Sequence, residues 1–167
     1  RQIIEQDLGQ PISAVFSSID ESALASASIA QVHAATLLSG EDVVVKVQKP
    51  GVQAILTTDM NAVYLLIRLF ELILPNTDKD AVTVSVEKMY QSMIDECDFL
   101  KEADNLRQFR KFLSDSGNEV VVAPKPYTNA SGAKVLTMER FYGVALTNEM
   151  AMSKGEFDPA SSLFNAL

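Results

Sequence analysis

The sequence predicts an α+β domain: a small antiparallel sheet of about five strands, a long helix packed on it, and an extra helix inserted ahead of the long one. Three observations carry this. Val43, Val45 and Val47 alternate with Val44, Lys46 and Gln48, the period of a strand with two different faces. Across residues 83–113 the apolar positions recur instead at helical spacing, through Val86, Met89, Tyr90, Met93, Ile94, Cys97, Leu100, Ala103, Leu106, Phe109 and Leu113. A chain of 167 residues, 47% hydrophobic and 22% charged, is long enough for one domain with a real core.

Taken in order, residues 1–8 read as helical through Ile3, Ile4 and Leu8, and Gly9 with Pro11 closes that helix. The chain starts without an initiator methionine and stops in mid-pattern at Phe164 and Leu167, so both ends read as cut. Residues 11–20 lead into a hairpin, and Ser39, Gly40, Glu41 and Asp42 form a polar turn before the valine strand. Residues 54–74 are strongly apolar and helical, but Asp59, Arg68 and Glu71 interrupt them, leaving the uncharged run short of the roughly 20 residues a membrane span needs. Burial against the rest of the protein fits better, with a membrane surface as the alternative. Pro75 and Asn76 end this helix. After a polar loop at 114–118, Val120, Val121 and Val122 suggest a short strand ended by Pro124 and Pro126. Asn129, Ala130, Ser131 and Gly132 make a turn, and Val135, Leu136, Thr137 and Met138 form the last clear strand. Thr147 is an N-cap candidate for a further helix, and another begins near Ser161.

Composition narrows the function classes. A net charge of −8 and the lack of a basic stripe argue against a nucleic-acid partner. The single cysteine, Cys97, excludes an internal disulfide and reads as core on the apolar side of the long helix. His33, the only histidine, reads as structural, with no second ligand-type residue placed to form a metal site.

The stretch that carries chemistry is residues 25–46. Ala25, Ala27 and Ala30 fall where the three glycines stand in G-x-G-x-x-G-x-V, with Ser26, Ser28, Ile29 and Gln31 between and after them and Val32 at the valine. Protein kinases cover the ATP phosphates with such a loop and pair them with a strand lysine, the place held here by Lys46. Glycine lets that backbone adopt positive φ and approach the ligand. Alanine restricts both, which predicts a stiffer loop that sits differently over phosphates. The alternative is a hairpin of small residues with a solvent-facing lysine. Asp95, Asp98 and Glu102 recur at i, i+3 and i+7 and make one edge of the long helix acidic, as solvated helix faces often are. Lys46 nevertheless supplies the cation that an inward carboxylate needs, so Lys46 and Glu102 are the candidate catalytic pair. In kinase geometry the last strand runs to the hinge: Met138 stands at the gatekeeper position, and backbone around Glu139 and Phe141 bonds the adenine edge. The alternative is an interior strand without a ligand.

These segments together resemble the UbiB family of atypical kinases, also called the ABC1 or ADCK family. The family's alanine-rich loop is matched by residues 25–33, its V-x-V-K-V-Q strand and following P-G by residues 43–48 with Pro50 and Gly51, its E-C-D-[FY]-x-x-E-A helix by residues 96–103, and its V-L-T-M-E segment by residues 135–139. The resemblance covers roughly residues 4–146. It implies a kinase-like N-lobe over residues 1–146, the start of a C-lobe over 147–167, and ATP or ADP as the bound nucleotide. It assigns Glu102 the lysine-orienting role and makes Glu96 and Asp98 the family's E-x-D pair. Elsewhere in the family that pair packs against an N-terminal K-x-G-Q motif, which is absent here.

Catalysis needs an H-x-D loop and a metal-binding D-F-G. With His33 in the hairpin and Asp98 and Phe99 followed by Leu100, neither is present. The chain is therefore expected to hold the nucleotide-positioning half of a kinase and to be inactive alone, with Mg2+ expected only in the full-length protein. The resemblance implies a role for that protein in isoprenoid-quinone or organellar lipid metabolism, at a plastid or mitochondrial membrane or in bacteria, with a membrane surface or quinone-pathway proteins as partners. A non-catalytic nucleotide-sensing or lipid-binding module is the competing expectation.

Overall fold

The computed structural model describes residues 1–73, 79–118 and 121–143. Helix α1 (Gln2–Leu8) stops where expected, with Gly9 in the left-handed region at φ 66°, a conformation that a Cβ disfavours. After a 3-10 turn at Ile12–Ala14, strands β1 (Phe16–Ser26), β2 (Ala30–Leu37), β3 (Asp42–Gln48) and β4 (Val135–Glu139) form one antiparallel sheet in the order β1-β2-β3-β4. Strand alternation then divides two cores between the two faces.

Val43 and Val45, both fully buried, point with Val135 toward α1, where Ile4 and Phe16 complete the first core and Leu8 and Val47 pack at its edge. Burying each such valine contributes about 1.5–3 kcal/mol. The register of the 133–135 turn against α1 is fixed by Asp7, whose carboxylate accepts the Lys134 amide at 2.8 Å. A Cβ at Gly132 would collide with the same carboxylate. The other face carries the second core, in which Ala30, Leu136, Phe99 and Ala103 are buried together and Ile29, Leu106 and Met138 pack against them.

The long helix expected across 83–113 is two helices, α3 (Lys79–Asp95) and α4 (Phe99–Asp115), separated at Glu96, Cys97 and Asp98. Asp98 lies outside both helices as the N-cap of α4, with extended backbone at φ −107° and its carboxylate accepting the Leu100 amide at 3.1 Å. The break resets the helical register. Phe99, which the uninterrupted spacing left off the apolar face, is fully buried, whereas Leu100 is exposed.

The inserted helix α2 (Val52–Ile73) packs on α3. Thr57 near its start meets Tyr90 near the end of α3, hydroxyl to hydroxyl at 3.4 Å, so the two run antiparallel. Half-buried Leu56, Met60, Val63 and Ile67 form one stripe of α2, and Val86, Tyr90 and Ile94 form the facing stripe. The expected burial of α2 is not met: Ile55, Leu65, Leu66 and Leu69 are all at least 50% exposed. A helix that is apolar on several sides can cover only one stripe against a single partner. No helix among the described residues is long and apolar enough to cross a membrane.

Of the strand expected at Val120, Val121 and Val122, the first residue lies outside the described residues and the other two join no strand. Pro124 and Pro126 cannot donate to a ladder. The chain runs along β4 irregularly instead: Pro126 bridges Met138, the Tyr127 amide donates to the Thr137 carbonyl at 2.8 Å, and the Glu139 amide donates to the Lys125 carbonyl at 2.9 Å. The sheet thus has four strands and this irregular edge among the described residues. The expected helix at Thr147, the one near Ser161 and the second-lobe segment 147–167 lie outside the described residues.

Candidate functional site

The alanine stretch forms the hairpin between β1 and β2. Ala25 and Ser26 end β1, Ala27, Ser28 and Ile29 make the turn, and Ala30 and Gln31 open β2, with the Ala27 amide donating to the Ala30 carbonyl at 2.9 Å. No non-glycine residue among those described has positive φ, so the turn closes without the conformation that glycine would supply. Two ties hold it. Ala30 is 2% exposed in the second core, with Ile29 packed beside it. From the end of β3, the Lys49 amide donates to the Ile29 carbonyl at 2.8 Å and its ammonium to the Ala27 carbonyl at 2.6 Å.

Lys46 sits centrally on β3, between Val32 of β2 and Leu136 of β4 in the ladder. Its ammonium donates to both carboxylate oxygens of Glu102, at 2.9 and 2.6 Å. The same ammonium stands 4.6 Å from the centroid of the Phe99 ring, a cation–π distance. Glu102 lies in the first turn of α4 and Phe99 is that helix's first residue, so one helix start supplies both of lysine's partners. The negative carboxylate at this end also suits the helix dipole.

The break between α3 and α4 borders the pair. A cleft of about 730 Å3 is lined by Lys46, Glu102, Ile29, Glu96 and Asp98 among others, so the structure brings the two acidic residues of the break onto the same opening as the lysine. Across that break the Lys101 ammonium donates to the Asp95 carboxylate at 2.7 Å. This bond holds the Asp95 carboxyl below its ordinary range, with Gln91 adding to it, and raises the Lys101 ammonium. Cys97 is 1% exposed, and burial pushes its thiol up, away from the reactive thiolate. Among the described residues, no group of three or more His, Cys, Asp or Glu side chains is placed to hold a metal ion.

The strand-end residues are arranged differently. Met138 packs at the edge of the second core, opposite Val44 of β3. The Glu139 carboxylate accepts the Lys125 amide at 3.1 Å and faces Arg110 at 3.6 Å. Beyond β4 the Arg140 amide donates to the Asp42 carbonyl at 3.3 Å, and Phe141 is 50% exposed. His33 lies away from the lysine cleft, its Nδ1 bonded to the Asp20 carbonyl at 2.9 Å.

Sequence reasoning missed three contributors. Phe99 was hidden because the break shifts the register, and Lys49 had no pattern to mark it. Gln48 shares the Lys46 face of β3, and that alternation was the available signal; its amide donates to the Cys97 carbonyl at 3.0 Å in a buried contact.

Comparison with known proteins finds relatives along the whole chain. The ABC1 atypical kinase-like domain matches residues 1–163. An aarF domain-containing protein kinase of Arabidopsis thaliana, described as chloroplastic, is 41% identical over all of this chain and 31% of its own length. A Pseudomonas entomophila protein named "Probable protein kinase UbiB" is 37% identical over 93% of this chain and 29% of its own. The solved structure of Mycobacterium tuberculosis Rv3197 in complex with erythromycin superposes with a TM-score of 0.71 at 30% identity, covering 86% of this chain and 35% of that one. The chain thus spans about a third of the length of these relatives, and its four-stranded antiparallel sheet with α4 packed on it has the architecture of a kinase-like N-lobe. On sequence and fold together, the chain belongs to the ABC1 atypical kinase-like family.

Proposed function

We propose that this chain is the nucleotide-positioning part of an ABC1-type kinase or ATPase. The observation that carries the reading is the two-oxygen grip of Glu102 on Lys46, in a cleft that Ile29 of the alanine turn also lines. An ammonium held by a carboxylate on one side and an aromatic face on another has its direction restricted before any ligand arrives, which lowers the ordering cost of gripping phosphate. In this reading Lys46 grips the phosphates of ATP or ADP and Glu102 orients it. Residues 25–31 cover the phosphates, and Met138 borders the adenine. Because the Glu139 and Arg140 amides already donate to Lys125 and Asp42, an adenine edge here would use the Glu139 carbonyl and the Phe141 amide. Glu96 and Asp98 keep the E-x-D role that the resemblance gives them. Magnesium and the transfer step belong to parts of a full-length protein beyond these residues, and a role in isoprenoid-quinone or organellar lipid metabolism, in a plastid, a mitochondrion or a bacterium, is proposed for that protein.

A second reading draws on the exposed Ile55, Leu65, Leu66 and Leu69: a non-catalytic module in which nucleotide only biases conformation and α2 docks on a membrane surface or a quinone-pathway protein. The test is ATP binding and turnover by the full-length protein. Lys46→Ala should weaken nucleotide binding at least tenfold and abolish turnover, and undiminished turnover would sink the assignment. Binding by the wild type with no turnover in either protein would favour the second reading.

A further inference from the structure

We propose that Gln48 is the positioning residue that sets the Lys46 and Glu102 pair, by pinning the start of α4 to β3. Its consequence for nucleotide rests on the reading just given; its geometry does not. Gln48 lies two residues after Lys46 and therefore on the same face of the strand. Its side chain is buried, at 4% residue exposure, and donates from Nε2 to the Cys97 carbonyl at 3.0 Å. That carbonyl stands in the break between the helices, where regular intrahelical bonding ceases.

The two contacts form a ladder between one strand and one helix start. Lys46 and Gln48 are about 6.5 Å apart along β3, and their partners, Glu102 and Cys97, lie on either side of the first residue of α4. Two backbone bonds close the frame: the Gln48 amide donates to the Lys134 carbonyl and the Phe99 amide to the Ala133 carbonyl, each at 2.9 Å. Backbone bonds are open to almost any residue, so beside Lys46 and Glu102 themselves the Gln48 carboxamide is the side chain of this frame whose identity matters. With it in place α4 cannot slide or tilt along β3 without breaking a buried bond, and Glu102 and Phe99 stay against the lysine. An apolar residue of the same length would fill the space and leave the Cys97 carbonyl unpaired; asparagine would fall a methylene short.

The experiment uses the full-length protein with Gln48→Met, Glu102→Gln and the double variant, reading ATP affinity and amide hydrogen exchange. Gln48→Met should raise the ATP dissociation constant about tenfold, the equivalent of about 1.4 kcal/mol, and speed exchange of the amides of residues 99–102. In the Glu102→Gln background it should add little to the affinity loss, because the group it positions is already altered. A purely structural glutamine would weaken both backgrounds equally, and that additivity would overturn the proposal, as would unchanged exchange at 99–102. If wild type binds no ATP, the nucleotide reading fails while the exchange result still decides the role of Gln48. Should Gln48→Met not fold, Gln48→Asn takes its place, with the same direction and a smaller change expected.

Discussion

Two regions of this chain spend their apolar residues in opposite ways. Around Lys46, the alanine turn, β3 and the start of α4 are joined by converging ties: Ala30, Phe99 and Leu136 buried together, Lys49 on the turn, Gln48 on the Cys97 carbonyl, and Glu102 on Lys46. In the α2 and α3 hairpin, one stripe from each helix meets the other, and Leu65, Leu66, Leu69 and Met89 remain exposed. Helix α2, strongly apolar in sequence, thus keeps much of its apolar surface uncovered. What separates the two regions is the number of elements that reach each site: the alanine turn, β3, β4 and the start of α4 converge around Lys46, and two helices make the hairpin. A polar site fixed from several sides is suited to holding a ligand in one geometry. The exposed apolar side chains of the hairpin are left without such ties.

Substitutions can break or sharpen that contrast. The largest effect should come from Phe99→Ala, which empties a fully buried site and removes the ring beside Lys46; a loss of about 3–5 kcal/mol is expected from urea unfolding followed by exchange of the β3 amides. A loss near zero would mean that the second core does not hold the lobe together. Asp98→Ala removes the N-cap of α4 and should cost about 1 kcal/mol by the same measurement, with faster exchange at the Leu100 amide. The smallest effect is expected from Leu66→Lys on α2, where the side chain is 64% exposed: a change within about 0.5 kcal/mol. A strong destabilisation there would show that α2 is packed on the rest of the protein and would erase the distinction between the regions.

Much of the tied region was readable before any coordinates. Alternation of the valines placed β3 and set Lys46 opposite the face that enters the α1 core, and Gly9 marked the end of α1. The acidic edge yielded Glu102, whose carboxylate stands 2.6 Å from the Lys46 ammonium. The break at Glu96, Cys97 and Asp98 was not readable, because apolar spacing carries on through Ile94 and Cys97 as though one helix continued. What interrupts it comes from far along the chain: the Gln48 carboxamide 49 residues away and the Ala133 carbonyl. The local contributions are the Asp98 cap and the bond from Lys101 to Asp95, and an aspartate within a helical pattern does not announce itself as a cap. The exposure of α2 was hidden for a different reason. Hydrophobicity reports that a surface should leave water, not which partner covers it.

The most direct measurement is hydrogen exchange on the full-length protein with and without ATP and Mg2+, resolved along residues 1–143. The account predicts added protection at residues 25–31, around Lys46 and at 97–103, with α2 and α3 unchanged. Protection gained on α2 and α3 alone, or nowhere in this lobe despite measurable binding, would contradict it and place the nucleotide outside the Lys46 site.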